Sequence, residues 1–308
     1  MQVLYFFESI RNPFLDAVMS LITRLGEETF FIALSIIVFW CVDKTKGYFF
    51  IIVGFLGTVL NQFLKVLFRI PRPWVKDPNF TIVESAREAA TGYSFPSGHT
   101  QSAVGSFGAL GRTTKRNWLK ILCLIIIILV PISRMYLGVH TLLDVGVSFI
   151  IALALVLGLY PLIKLNDKKP FILPFLLGVS VAFSAFAYLF IKLYNFPPDA
   201  DLENITHGAE SVVKLLGAGL GVFVSYFIEK KYIKFDTSGH IITQIIKVVF
   251  GLLILVAIKS LIKTPLNALL GVDLGNCVRY FIIIIFAVLV WPLTFNWLNK
   301  LVLKMIKK

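Results

Sequence analysis

Three cations, Lys65, Arg72 and Arg134, fall at or near the ends of apolar segments, where a lone charge is costly without a partner. Any one of them could snorkel to a membrane interface; three together point to a shared anion. Arg72 sits between two prolines that fix the chain's exit from the preceding apolar run. The segment Pro96-Ser97-Gly98-His99 then offers a shaped turn, a hydroxyl and backbone N–H groups at the start of a helix, the ingredients of an anion cradle. His99 would be placed to protonate a leaving oxygen, although a helix cap with an incidental histidine has the same sequence. In Ser133-Arg134-Met-Tyr-Leu-Gly-Val-His140-Thr-Leu-Leu-Asp144 the i,i+4 spacing predicts His140 and Asp144 on one helical face. A carboxylate bonded to one ring nitrogen leaves the other free to attack. A buried His–Asp pair that only satisfies two polar groups would look alike.

These residues must be positioned by a membrane bundle. Of the 308 residues 57% are hydrophobic and 15% charged, with a mean hydropathy of +0.84, well beyond a soluble domain of this size. Apolar runs predict an all-α polytopic bundle of about nine transmembrane helices near 28–42, 47–68, 98–111, 118–136, 139–162, 171–195, 209–228, 241–263 and 278–298. The first and third are short. Phe14, Leu15, Val18, Leu21, Ile22 and Leu25 repeat at helical spacing and predict an N-terminal interfacial helix. No linker divides the chain, which reads as one membrane domain, with a motif-bearing core over 1–165 and a four-helix extension over 166–308.

The net charge of +13 follows topology rather than nucleic acid, because basic residues gather on alternate connectors. One set of connectors and the C-terminal tail hold sixteen Lys or Arg; the opposite set holds six. This places the C-terminus in the cytoplasm and all three motif segments outside. In the long outer connector 69–97, the stretch Thr81 to Ala90, with Glu84 and Glu88 at i,i+4, predicts a helix able to cover the site. The acidic loop 195–208 is expected to border the entrance. Asp199, Asp201, Glu203 and His207 there allow a metal reading, but a solvated acidic loop fits as well, and neither a metal nor a cofactor is expected. Cys41, Cys123 and Cys277 have unrelated spacings and imply no disulfide.

Together the segments resemble the type 2 phosphatidic acid phosphatase superfamily, which shares its fold with vanadium haloperoxidases and bacterial acid phosphatases. Its first motif, Lys, six residues, Arg-Pro, is here Lys65 to Arg72-Pro73; the second is Pro96 to His99; the third is Ser133-Arg134, His140 and Asp144. The match covers about residues 61–150. The resemblance implies metal-independent phosphoryl transfer with His140 as nucleophile, Asp144 stabilising its imidazolium and His99 as acid. Lys65, Arg72, Ser97, Gly98 and Arg134 would bind the phosphoryl oxygens. It also implies a phosphorylated lipid as substrate, such as phosphatidic acid, phosphatidylglycerol phosphate or a polyprenyl pyrophosphate. The nine-helix count resembles the glucose-6-phosphatase branch and keeps a soluble sugar phosphate open. A non-enzymatic lipid transporter and a haloperoxidase are further readings. The Lys, Ile and Phe content and brief loops suggest a bacterial plasma membrane.

Overall fold

The computed structural model describes residues 1–306, which form helices and the connections between them, with no strand. The expected interfacial helix is two helices, α1 (Gln2–Ser9) and α2 (Pro13–Arg24). The break has a local cause: the Asn12 side chain accepts the Leu15 N–H at 3.0 Å, and Pro13 takes the first helical position. On α2, Phe14 and Leu21 are exposed while Thr23 is buried.

The remaining helices are α3 (Glu28–Cys41), α4 (Lys44–Phe68), α5 (Pro73–Lys76), α6 (Gly98–Thr113), α7 (Asn117–Tyr136), α8 (Leu142–Leu165), α9 (Ile172–Leu193), α10 (Leu202–Ile228), α11 (Ile241–Leu261), α12 (Lys263–Leu270), α13 (Val272–Ile285) and α14 (Phe295–Ile306). Every segment expected to span is therefore helical. Among the described residues, however, seven helical segments are long and apolar enough to cross a bilayer, with α11–α12 and α13–α14 each running on as one. The two outside that set are α3, with 14 residues, and α6, with 16. The shortfall of α6 has a physical reason. Thr100, Gln101, Ser102 and Ser106 are buried on it, so it faces protein rather than lipid.

The chain divides into two compact units. The first comprises Met1–Ile32, Val53–Leu162 and Phe190–Ala209, and holds all three motif segments. Within it α6 packs along α7 around Ala103, Phe107, Cys123 and Val130, and α1 and α2 lie against α7. The connector 69–97 is anchored rather than free. Ala86 and Ala90 are buried against Tyr136, Leu137 and Val139, and the Val83 N–H donates to the Leu137 carbonyl at 3.1 Å. Those contacts override helix propensity, so Thr81 to Ala90 forms only the single turn Glu84–Ala86. Glu84 pairs with Arg87 at 2.7 Å, not along an i,i+4 helix face, and that hydrogen bond holds its carboxyl below the usual value.

The second unit comprises Ala33–Ile52, Ile163–Leu189 and Glu210–Lys308. Long-range polar contacts tie its helices together: Lys44 with Glu229 at 2.7 Å, the Tyr188 hydroxyl with Asp273 at 2.9 Å, and the Trp40 indole with the Ala287 carbonyl at 2.8 Å. At Gly217 the backbones of α10 and α13 come so close that a Cβ would overlap the Cys277 carbonyl. Gly217→Ala is expected to lower the thermal midpoint of the detergent-solubilised protein, consistent with an overpacking cost of about 1–3 kcal/mol. Gly158→Ala, where a Cβ meets nothing within 4 Å, should not lower it. Equal midpoints for wild type and Gly217→Ala in a fluorescence melt would contradict this packing.

Candidate active site

The third motif is a helix stop followed at once by a helix start. Gly138 has φ +81°, a left-handed conformation that glycine adopts without strain. Its N–H bonds to the Met135 carbonyl at 3.0 Å and the Val139 N–H to the Arg134 carbonyl at 3.2 Å, the pairing of a Schellman turn. Thr141 then caps α8. Its N–H donates to Asp144 Oδ2 at 2.8 Å, while its Oγ1 accepts the Asp144 N–H at 3.3 Å, a capping box. The five residues between Arg134 and His140 thus reverse the chain, and the three between His140 and Asp144 make the cap. His140 lies before the helix, not on its face, which corrects the helical reading of that spacing.

His140 Nδ1 faces Asp144 Oδ2 at 3.6 Å, close enough for charge attraction but too long for the expected hydrogen bond. Asp144 is otherwise engaged, with the Ser94 hydroxyl donating to Oδ2 at 2.6 Å. On the other side of the ring, Nε2 lies 3.0 Å from Arg72 Nη1. A guanidinium only donates, so Nε2 accepts and the proton sits on Nδ1, toward Asp144.

Arg72 is held by backbone carbonyls rather than by a carboxylate: Nε by Gly92 at 3.0 Å, Nη2 by Thr91 at 2.6 Å and Nη1 by Val139 at 3.0 Å. The Lys65 ammonium, near the end of α4, donates to the Tyr93 carbonyl. The second motif and the residues just before it dock on both others, through the Ser94 N–H to the Ile70 carbonyl at 2.8 Å and the Ser97 N–H to the Asp144 carbonyl at 3.1 Å. Ser97 therefore does not present its N–H to a ligand, as its motif position suggested. Its hydroxyl caps α6, accepting from the Thr100 hydroxyl at 3.1 Å. Gly98 and His99 follow as the first helical residues, whose N–H groups have no acceptor within the helix.

Lys65, Arg72, Gly98, His99, Arg134 and His140 come together around one cavity of about 160 Å³. Ser97 and Asp144, both buried, bond to each other through the Ser97 N–H and the Asp144 carbonyl rather than lining it. Lys65, Arg72 and Arg134 are all buried, Arg134 completely. Arg134 Nε and Nη2 and His99 Nε2 are buried polar atoms without a hydrogen-bond partner in the protein. Such groups ask for a ligand, and three cations beside them suit an oxyanion.

Other walls were missed by the motifs. Thr58, Asn61 and Gln62 line the cavity from the same face of α4 as Lys65, at i, i+3, i+4 and i+7. Their polarity within an apolar run was a usable signal. Gly26 and Glu28 precede the first motif, and nothing in their local sequence announces them. His207 does border the cavity, as its loop was expected to. The loop's acids do not gather into a metal site: Asp201 accepts from the Asn204 N–H and side chain at 3.1 and 2.6 Å, and among the described residues no three His, Cys, Asp or Glu could hold a metal ion.

The PAP2 superfamily profile matches residues 46–168, and that of the PAP2 superfamily phosphatase transmembrane extension matches 213–302. A probable sphingosine-1-phosphate phosphatase of Dictyostelium discoideum is 28% identical over 240 residues, 73% of this chain and 56% of that protein. Phosphatidylglycerophosphatase B of Bacillus subtilis is 29% identical over 52% of this chain and 79% of its own length. Undecaprenyl-diphosphatase BcrC of the same species is 30% identical over 47% and 73%. The chain spans under two thirds of the length of the sphingosine-1-phosphate phosphatases that it matches. No solved structure matches.

Inorganic phosphate is expected to bind the solubilised protein, and Arg134→Lys, which removes a two-pronged donor, to weaken binding by about tenfold or more. Titration calorimetry measures this; unchanged affinity would contradict the placement of Arg134 in the anion site.

Proposed function

We propose that this chain, which belongs to the PAP2 superfamily, is a membrane phosphatase that hydrolyses a lipid phosphomonoester or pyrophosphate through a phosphohistidine. The observation that carries this reading is His140 Nε2 lying 3.0 Å from Arg72 Nη1 in a cavity walled by three buried cations. Phosphate bound there would be held by Lys65, Arg72, Arg134 and the N–H groups of Gly98 and His99, which stabilise charge on the equatorial oxygens. His140 Nε2 attacks phosphorus. The bond from phosphorus to the lipid oxygen breaks, and His99 gives that oxygen its proton. The ring gains positive charge as it is phosphorylated, and Asp144 stabilises it across 3.6 Å. Water then attacks the phosphohistidine, His99 takes its proton, and inorganic phosphate and free His140 result.

A lipid substrate is supported by the setting of the cavity in a membrane helix bundle and by the relatives, named for sphingosine phosphate, phosphatidylglycerophosphate and undecaprenyl diphosphate. Phosphatidic acid belongs to the same chemical set. One feature favours a second reading, a soluble sugar phosphate: Thr58, Asn61, Gln62 and Gln101 supply hydroxyl and amide groups suited to a polyol. The basic connectors support a cytoplasmic C-terminus and an extracytoplasmic site, and the Lys, Ile and Phe content and brief loops support a bacterial plasma membrane.

Three results test the proposal. Phosphate release should be faster from a lipid phosphate or pyrophosphate than from any sugar phosphate, and the reverse ranking would select the second reading. Release should persist in excess chelator; its abolition would refute a metal-independent reaction. His140→Ala should lower turnover by about 10⁴-fold or more, whereas full release by that variant would remove His140 as nucleophile.

A further inference from the structure

Arg134 has its guanidinium in the wall of the cavity and no exposure to solvent, yet only one of its three nitrogens is engaged by the protein. Nη1 donates to the hydroxyl of Thr23 at 2.9 Å, across 111 residues of sequence. Nε and Nη2, the two nitrogens that form one flat edge of the group, remain without a partner. That edge is the one able to grip two oxygens of a phosphate side by side.

Thr23 sits near the end of α2, a helix outside the segment matched by the superfamily profile. It is 8% exposed, so its hydroxyl has little water to turn to. The helix and the turn before it are fixed against the end of α7 by further bonds. The Tyr136 hydroxyl donates to Asp16 at 2.8 Å, and Arg11 Nε donates to the Tyr136 carbonyl at 3.0 Å. Three residues beyond Thr23, Gly26 lies so near α6 that a Cβ would stand 2.8 Å from the His99 carbonyl and 2.7 Å from Val130. The N-terminal segment therefore touches the ends of both helices that carry Arg134 and His99.

We infer that Thr23 is a positioning residue for the phosphate site: by holding Nη1 of Arg134 it turns the Nε–Nη2 edge toward the substrate phosphoryl group. A free guanidinium at the end of a flexible side chain samples several orientations. One anchored corner confines the plane, so less entropy is lost when phosphate binds. The inference rests on the cavity being a phosphate site, and it assigns a part in that site to a segment none of the three motifs reaches.

The test uses the full chain in detergent with orthovanadate and inorganic phosphate as binding probes, and a lipid phosphate as substrate. Thr23→Val keeps the shape but removes the acceptor, and Thr23→Ser keeps the hydroxyl. Thr23→Val should weaken vanadate binding and lower kcat/KM by about tenfold, on the scale of a lost hydrogen bond to a charged group. Thr23→Ser should recover most of both, with the thermal midpoints of both variants near that of wild type. In an Arg134→Lys background Thr23→Val should add little further loss, because the partner it orients is gone. Wild-type binding and turnover in Thr23→Val would overturn the inference and leave the phosphatase reading standing. An equal loss in Thr23→Ser and Thr23→Val, or full additivity with Arg134→Lys, would also overturn it by showing a role in packing alone. If wild type neither binds either anion nor releases phosphate, both the inference and the phosphatase reading fall.

Discussion

Burying Lys65, Arg72 and Arg134 around one small cavity is the constraint on which the rest of the first unit depends. Each cation removed from water carries a desolvation cost of several kcal/mol, and placing them together adds repulsion. No matching set of three carboxylates stands in the wall. The protein offsets the cost with oriented carbonyls, those of Thr91, Gly92 and Val139 on Arg72 and of Tyr93 on Lys65. What these leave uncompensated is positive potential directed into the cavity, which a phosphate group would complete. The same carbonyls tie the connector 69–97 and the turn before α8 to the site, so charge burial also organises the loops.

The turn chemistry serves that arrangement. Gly138 lets α7 end and the chain reverse, and Thr141 starts α8 immediately afterwards, so His140 is fixed between two helix ends. Asp144 joins the motifs by receiving Ser94 on its carboxylate and Ser97 on its carbonyl. Its separation from the His140 ring would suit stabilisation of the charge that the proposed reaction places on the ring.

Much of this was legible in the sequence because motif residues announce themselves by type. Buried charges and histidines in an apolar chain have few explanations, and Lys65, Arg72, His99, Arg134 and His140 do meet around one cavity. The local devices were also written there, as Gly138 and the Thr141-x-x-Asp144 pattern, but an i,i+4 count concealed the helix break between His140 and its partner. Hydropathy placed α6 among the spans without showing that its polar face is buried in protein. Thr81 to Ala90 looked helical because propensity does not register anchoring to Leu137 and Val139. Thr23, Gly26 and Glu28 were invisible for a different reason: their places depend on contacts between segments far apart in the chain, which no local pattern encodes.

The central claim is that His140 carries the phosphoryl group during turnover, and trapping that species tests it most directly. The solubilised protein would be mixed with a labelled lipid phosphate, quenched in alkali within one turnover and mapped by mass spectrometry. A label on the peptide containing His140, stable to base, labile to acid and absent from His140→Asn, is the predicted result. A label on another residue, or phosphate released in one step with inverted stereochemistry and no labelled protein, would contradict it.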